Sequence, residues 1–452
     1  MEHGKALAAF SATVNWRDLP GALREKVVDH VVDAIGVMYS GIGMEACVNA
    51  RRAAALWGEG DDAAVIGTKS WLPAPSAAFI NALHGRIHTF DDTYEPGTMH
   101  AGTAVVAAAL ALAGKHELDG ESFLSAVIAG YEVAARVAAA VSPSHYAAGF
   151  HNTGTCAVFG AAAAASRLLK LGPVETAEAF GLAGATAAGL RQHQIDGSML
   201  DSAFHGARSA QSGVMVAQLR ADGVRGPAAI LEGPLGFCAV MARERNLDRL
   251  VDGLGRDYEF AKITIKPYPT CRFAHGPIEA ALELKRQHAI DPARIKDITV
   301  ATFRQSIEVS DRPQLNASFD AVVSHQYAVS LAMVKGKVEL AEIINYKSGD
   351  AQALALMQKV RVVHDTALET DFPRAWPHRV TVNMQDGQTY SLLSEYPPGR
   401  EAPIPRAAID AKFVSQSAPV LGAQRAQAAL QTLRGIAEIK NVRPLGAVLA
   451  SA

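Results

Sequence analysis

Between residues 101 and 220 the chain is written largely in alanine and glycine. The runs are Ala104-Val-Val-Ala-Ala-Ala-Leu-Ala-Leu-Ala113, Gly160-Ala-Ala-Ala-Ala-Ala-Ser166 and Gly181-Leu-Ala-Gly-Ala-Thr-Ala-Ala-Gly-Leu190. Alanine has the best helix propensity, and small faces let neighbouring helices approach closely. These runs predict a tightly packed, all-helical core, and close packing alone accounts for their composition. Residues 20–40 add an amphipathic helix: Leu23, Val27, Val28, Val31, Ile35 and Met38 recur at helical spacing around Arg24, Glu25 and Lys26. Gly41 and Gly43 then break it.

The character changes after Lys266. Asp297–Phe303, Val360–Val363 and Arg379–Asn383 read as strands, and Asp386-Gly387 turns the last of these into Thr389–Leu393 as a hairpin. Helical segments Gly276–His288 and Gln326–Val334 lie between them, which makes an α+β segment and a second domain. A chain of 452 residues is too long for one ordinary core. Pro397, Pro398, Pro403 and Pro405 mark a linker, and the tail from Ala407 to Leu449 is helical again.

Net charge is −2, so no global field attracts nucleic acid or an anionic membrane. The apolar run Ala101–Ala113 is too short for a membrane span, which needs about 20 residues. The first residues lack a charged segment followed by an apolar one, so no secretory signal is expected. Cys47, Cys156, Cys238 and Cys271 are far apart with no CxxC pair, which favours neither a zinc site nor a disulfide framework. A cytoplasmic protein is expected. No GxGxxG, GxxxxGK[ST], HExxH or GxSxG occurs, which argues against nucleotide-driven chemistry.

Candidate chemistry is concentrated in loops. In His88-Thr-Phe-Asp-Asp-Thr-Tyr-Glu-Pro-Gly-Thr-Met-His100, the side chains of Asp91, Asp92, Thr93 and His100 can trade protons with a carbon acid or a leaving hydroxyl. Equally, Asp and Thr before a helix cap its free N–H groups. Ser144–Thr155 holds His145, Tyr146 and His151 ahead of another alanine-rich helix, an acid/base set or a hydrogen-bonded loop. Lys266-Pro-Tyr-Pro-Thr-Cys271-Arg272-Phe-Ala-His275 lies at the apparent domain junction, where clefts form. Lys266 and Arg272 suit carboxylate binding, while a proline-rich hinge is the plainer reading. His205 with Arg208, and Ser324-His-Gln-Tyr327, are weaker groups in which structural roles dominate.

Taken in order, Phe90-Asp-Asp-Thr93 with His100, Gly130-Tyr-Glu132, Gly149-Phe-His-Asn-Thr-Gly-Thr155, Lys266-Pro-Tyr-Pro-Thr-Cys271, Ser324-His-Gln-Tyr327 and the Asp386-Gly387 hairpin resemble the MmgE/PrpD family. That family includes 2-methylcitrate dehydratase, cis-aconitate decarboxylase and iminodisuccinate epimerase. The resemblance implies a mainly α fold: a large all-helical domain from residues 1–265 together with 403–452, and a smaller α+β lid domain over 266–402. It implies a homodimer, a site between the domains, a small di- or tricarboxylate substrate and no organic cofactor; no metal is expected, since no compact ligand motif occurs. By position, Thr93, His100, His151, Lys266 and Tyr327 match site residues of the decarboxylase branch, and Tyr146 matches an acid/base tyrosine of the epimerase branch. Two positions depart from the family pattern: Thr89 stands where an Asp is usual, and Ser202 where a Lys is frequent.

The resulting expectation is a cofactor-independent lyase or isomerase, 2-methylcitrate dehydratase-like. Lys266 and Arg272 hold a substrate carboxylate, with His205, Arg208 and Tyr327 as further binding residues. His100, His151 or Tyr146 removes the adjacent proton, and Asp91 or Asp92 orients a histidine. An epimerase using Tyr146 and Lys266 on opposite faces is the alternative within enzymes. A non-catalytic carboxylate binder is the alternative outside them.

Overall fold

The computed structural model describes residues 3–372 and 374–451, with only the backbone at Asp201. The fold is mainly helical with small sheets. Buried apolar side chains form two clusters. One draws on residues from Leu7 to Ile265 and again from Ile409 to Leu449, and the other on Met199 and residues from Phe273 to Met384.

The first cluster is built from helices Gly21–Ser40, Ala74–Arg86, Gly102–Lys115, Gly120–Val141, Ala157–Leu168 and Met199–Ala221. Gly102–Lys115 is buried all round except at Lys115, as expected of a helix apolar on every face. Gly120–Val141 is long and apolar enough to cross a membrane, yet its apolar window lies wholly inside the protein. It packs against Ala157–Leu168. At their crossing a Cβ on Gly130 would stand 2.8 Å from the Gly160 carbonyl, and one on Gly160 would stand 2.5 Å from the Gly130 carbonyl. The small residues therefore set the helix separation. The run Gly181–Leu190 is helical only in part. Helix Pro173–Gly184 ends there, and the chain turns so that the Gly189 carbonyl accepts from the His151 N–H at 3.0 Å. Backbone pairing with the His151 loop overrides alanine's preference for helix.

The second cluster surrounds a four-stranded sheet. Strands β1 (Ile295–Thr302), β2 (Val360–His364), β3 (His378–Met384) and β4 (Thr389–Ser394) are ordered β2-β1-β3-β4, with β1 and β2 parallel and the other pairs antiparallel. Ile298, Val300 and Thr302 alternate into the core. The β3–β4 turn passes through Gly387 at φ 90°, a conformation that favours glycine. Helices His275–His288 and His325–Lys335 pack on the sheet and on each other.

Two buried charges tie distant segments together. The Asp92 carboxylate accepts from Tyr131 Oη at 2.6 Å, His30 Nδ1 at 3.0 Å and the Gly102 N–H at 3.0 Å. Burial alone would raise its pKa, but these donors hold it below the ordinary carboxylate range. Asp92 thus caps helix Gly102–Lys115 from ten residues upstream, while Gly102 leaves it room: a Cβ there would stand 2.5 Å from Asp92 Oδ2. Lys412, on helix Arg406–Leu421, pairs with Asp33 at 2.6 Å and donates to the carbonyls of Phe90 (2.8 Å) and Lys266 (2.9 Å). That brings the C-terminal segment against both loops that carry candidate chemistry.

Replacing Asp92 by Asn keeps the shape but removes the charge that three donors surround. The variant is expected to lose about 2–3 kcal/mol of stability, seen as a lower urea midpoint. Gly130→Val is expected to lose about 1–3 kcal/mol by overpacking, with a matching fall in Tm.

Candidate active site

Two short backbone pairings assemble the site. Thr93–Tyr94 pairs antiparallel with Ile263–Thr264, which sets Lys266 beside the 89–100 loop. Tyr94 and Met99 exchange N–H to carbonyl bonds of 2.8 and 3.1 Å, and this folds His100 back beside Asp92. Thr89 and Thr98 adopt left-handed φ values of 53° and 46°. Such strain in a β-branched residue is costly and concentrates at functional sites. At Thr89 it accompanies a carbonyl that accepts from Lys266 Nζ at 2.6 Å.

These loops wall a cavity of about 70 Å³. Arg86, Thr93, His100, Tyr146, His151, Lys266 and Arg272 are among the residues that line it. Met199, Phe273, Phe319, Val322, Val323 and Trp376, all from the second apolar cluster, line it as well.

Among the polar residues, His100 Nδ1 lies 2.7 Å from the Asp92 carbonyl and 3.2 Å from Thr93 Oγ1. A carbonyl only accepts, so the proton resides on Nδ1 and Nε2 carries the lone pair. Burial, together with Arg86 and Lys266, pushes the His100 pKa well below the ordinary histidine value. His151 Nδ1 is 2.8 Å from His205 Nδ1, and its ring lies 5.1 Å from that of His193. Burial and these two neighbouring histidines push its pKa down as well. Both imidazoles are therefore neutral near pH 7.

The buried Lys266 ammonium is pushed down to about 7 by desolvation, against the pull of Asp91. Burial raises the Tyr146 phenol. Its ring stacks under Arg191, whose guanidinium is 3.7 Å from the centroid, and its Oη accepts from Gln194 Nε2 at 3.2 Å. The Tyr146 hydroxyl proton is then available as an acid.

Arg86 donates to Asp91 Oδ1 at 2.9 Å and to Ser202 Oγ at 3.0 Å. Arg272 donates from Nε to Glu95 Oε1 at 2.8 Å, and Glu95 also accepts from Arg400 at 2.9 Å. Arg272 Nη2 is buried with no hydrogen-bond partner among the described residues. No three His, Cys, Asp or Glu side chains are arranged to hold a metal ion among the described residues.

Of the residues singled out from the sequence, Thr93, His100, Tyr146, His151, Lys266 and Arg272 share the cavity wall. His205 stands behind His151. Asp91 stands behind Arg86, where burial raises its carboxyl despite the guanidinium. Asp92 does not orient a cavity histidine through its carboxylate, which is taken up by His30, Tyr131 and Gly102; its carbonyl holds His100 instead. Arg208 turns away and donates to the Thr186 carbonyl. Tyr327 is buried in the second cluster, with Oη donating to the Glu342 carbonyl at 3.0 Å. Arg86, His193 and Gln194 also line the cavity and do not stand out in the sequence as site residues. The signals for them are His84-Gly-Arg-Ile-His88 just before the first loop, and the polar run Arg191-Gln-His-Gln194 closing an apolar segment.

Comparison with known proteins identifies the family. The MmgE/PrpD N-terminal domain matches residues 5–250 and the MmgE/PrpD C-terminal domain matches residues 268–435. A cis-aconitate decarboxylase-like protein, oryM, of Aspergillus oryzae is 26% identical over 388 residues, covering 80% of each chain. Cis-aconitate decarboxylase of Aspergillus terreus is 25% identical, covering 84% of this chain and 82% of the relative. The Homo sapiens cis-aconitate decarboxylase is 22% identical, covering 95% and 91% respectively. With both domains matched across most of its length, the chain belongs to the MmgE/PrpD family.

Proposed function

We propose that this protein is a cofactor-independent lyase that removes a proton from the carbon next to a carboxylate of a small substrate. The observation that carries the reading is the His100 imidazole. Its Nδ1 proton is held by the Asp92 carbonyl, its lone pair is free on Nε2, and it shares one cavity with the Lys266 amine.

In this reading the substrate carboxylate lies on Lys266. A bound anion favours the ammonium, so binding draws a proton onto that lysine. His100 Nε2 takes the carbon-bound proton, and the C–H electron pair becomes the new C=C bond. The C–O bond at the neighbouring carbon breaks, and the departing hydroxide takes the Tyr146 phenolic proton and leaves as water. Imidazolium and phenolate remain, and proton transfer between them through solvent restores both. Lys266 and Arg272 offset the charge that builds on the carboxylate in the transition state.

Decarboxylation is the second reading, favoured by the names of the relatives. There the carbanion forms by loss of CO₂ and a protonated side chain delivers the proton to carbon.

Proton NMR in D₂O separates these outcomes. Elimination gives an alkene and water, decarboxylation releases CO₂, and epimerisation gives C–H exchange without either. His100→Gln is expected to lower turnover by about 10²–10⁴-fold while carboxylate binding persists; full activity in that variant contradicts the assignment.

The pH profile of kcat/KM supplies a second check. It is expected to fall above pH about 7, as the free enzyme's Lys266 loses its proton and with it the attraction for the substrate carboxylate. Its acid limb is expected below the ordinary histidine value of about 6.5, because the buried imidazoles stay neutral there. Lys266→Arg keeps the charge, so the alkaline limb should move up; an unmoved limb assigns it to another group.

A further inference from the structure

The polar and apolar residues that line the cavity differ in what they offer an anion. Three cations line the cavity: Arg86, Lys266 and Arg272. Arg86 is paired with Asp91 at 2.9 Å and Arg272 with Glu95 at 2.8 Å, with all four side chains at most 3% exposed. Among the described residues, Lys266 is the one cation on the wall with no carboxylate at salt-bridge distance. His100 and His151 add no charge near neutral pH. Ser202, beside Arg86, contributes a hydroxyl. Met199, Phe273, Phe319, Val322, Val323 and Trp376 present apolar side chains to the same cavity. The cavity of about 70 Å³ has room for about five waters.

A buried carboxylate is costly unless a charge or several donors meet it. Lys266 is, among the described residues, the one cation on the wall free of a carboxylate, so the second and third carboxylates of a tricarboxylate would have to share Arg86 and Arg272 with Asp91 and Glu95 or face hydrocarbon. We infer that the preferred substrate carries a single carboxylate, set on Lys266, and an apolar substituent of a few carbons, set against the Phe319–Val322–Trp376 wall. The inference rests on the proposal above that this cavity is the active site. It separates this chain from the cis-aconitate decarboxylases it is similar to, whose named substrate is a tricarboxylate.

A series that adds carboxylates one at a time to a shared 3-hydroxy acid skeleton tests it. 3-Hydroxy-3-methylbutyrate, 3-hydroxy-3-methylglutarate and citrate carry one, two and three, each with a C–H next to a carboxylate and a hydroxyl one carbon further on. Binding of each to the purified full chain is measured by calorimetry, and C–H exchange by proton NMR in D₂O. The expected result is tightest binding and fastest exchange for the monocarboxylate, with a loss of at least about tenfold for citrate. Citrate binding tightest, or no member binding, overturns the inference. Preferential binding of the monocarboxylate with no exchange in any member upholds the inference and counts against the proposed reaction instead.

Glu95→Gln frees Arg272 from its carboxylate and should shift the ranking toward the dicarboxylate. Its fold is verified by circular dichroism, and the wild-type ranking decides the matter without it. A folded Glu95→Gln protein with an unchanged ranking overturns the charge-balance argument.

Discussion

A carboxylate with no access to water must be surrounded by donors, and the donors around Asp92 come from three different helices. His30 belongs to Gly21–Ser40, Tyr131 to Gly120–Val141, and the Gly102 N–H opens Gly102–Lys115. Removing any of them would leave a buried charge short of partners. The same residue's carbonyl fixes the proton on His100 Nδ1. One aspartate therefore joins the packing of the helical core to the state of a cavity histidine. The tightness of that core follows from Gly130 and Gly160, whose missing side chains let two helices meet at their backbones.

A second chain of contacts runs from the C-terminal helix to the cavity. Lys412 holds the Phe90 and Lys266 carbonyls, and Lys266 in turn holds the carbonyl of Thr89 in its left-handed conformation. Burial that makes Lys412 and Lys266 expensive as cations also makes them sensitive to nearby anions. Lys412 has Asp33 as its partner, whereas Lys266 is left to respond to what enters the cavity. Strain, burial and an unpaired cation coincide at one place, the combination expected where structure is arranged for chemistry.

Much of the architecture was legible because apolar spacing and alanine content dominate local choice. The amphipathic helix at 20–40 and the four strands after Lys266 lie within a residue or two of where periodicity put them. The stretch 185–190 was misread because its composition is helical while its backbone pairs with the His151 loop. Adjacent Asp91 and Asp92 look alike in sequence, yet one meets Arg86 and the other a helix N-terminus, a distinction only tertiary packing makes. Ser324-His-Gln-Tyr327, where the sequence favours a structural role, has one: Ser324 Oγ accepts from the Tyr327 N–H and caps a helix. Arg86 does not stand out in the sequence because its partners, Asp91 and Ser202, converge only in the folded chain.

The central claim is that His100 is a neutral base with its proton locked on Nδ1 and its lone pair on Nε2. Nitrogen-15 NMR of histidine-labelled protein, with the His100 resonances identified by their loss in His100→Gln, reads this state directly. The account predicts a neutral ring protonated at Nδ1 at pH 7, persisting below the ordinary histidine range. A ring protonated at Nε2, or an imidazolium at pH 7, would contradict it.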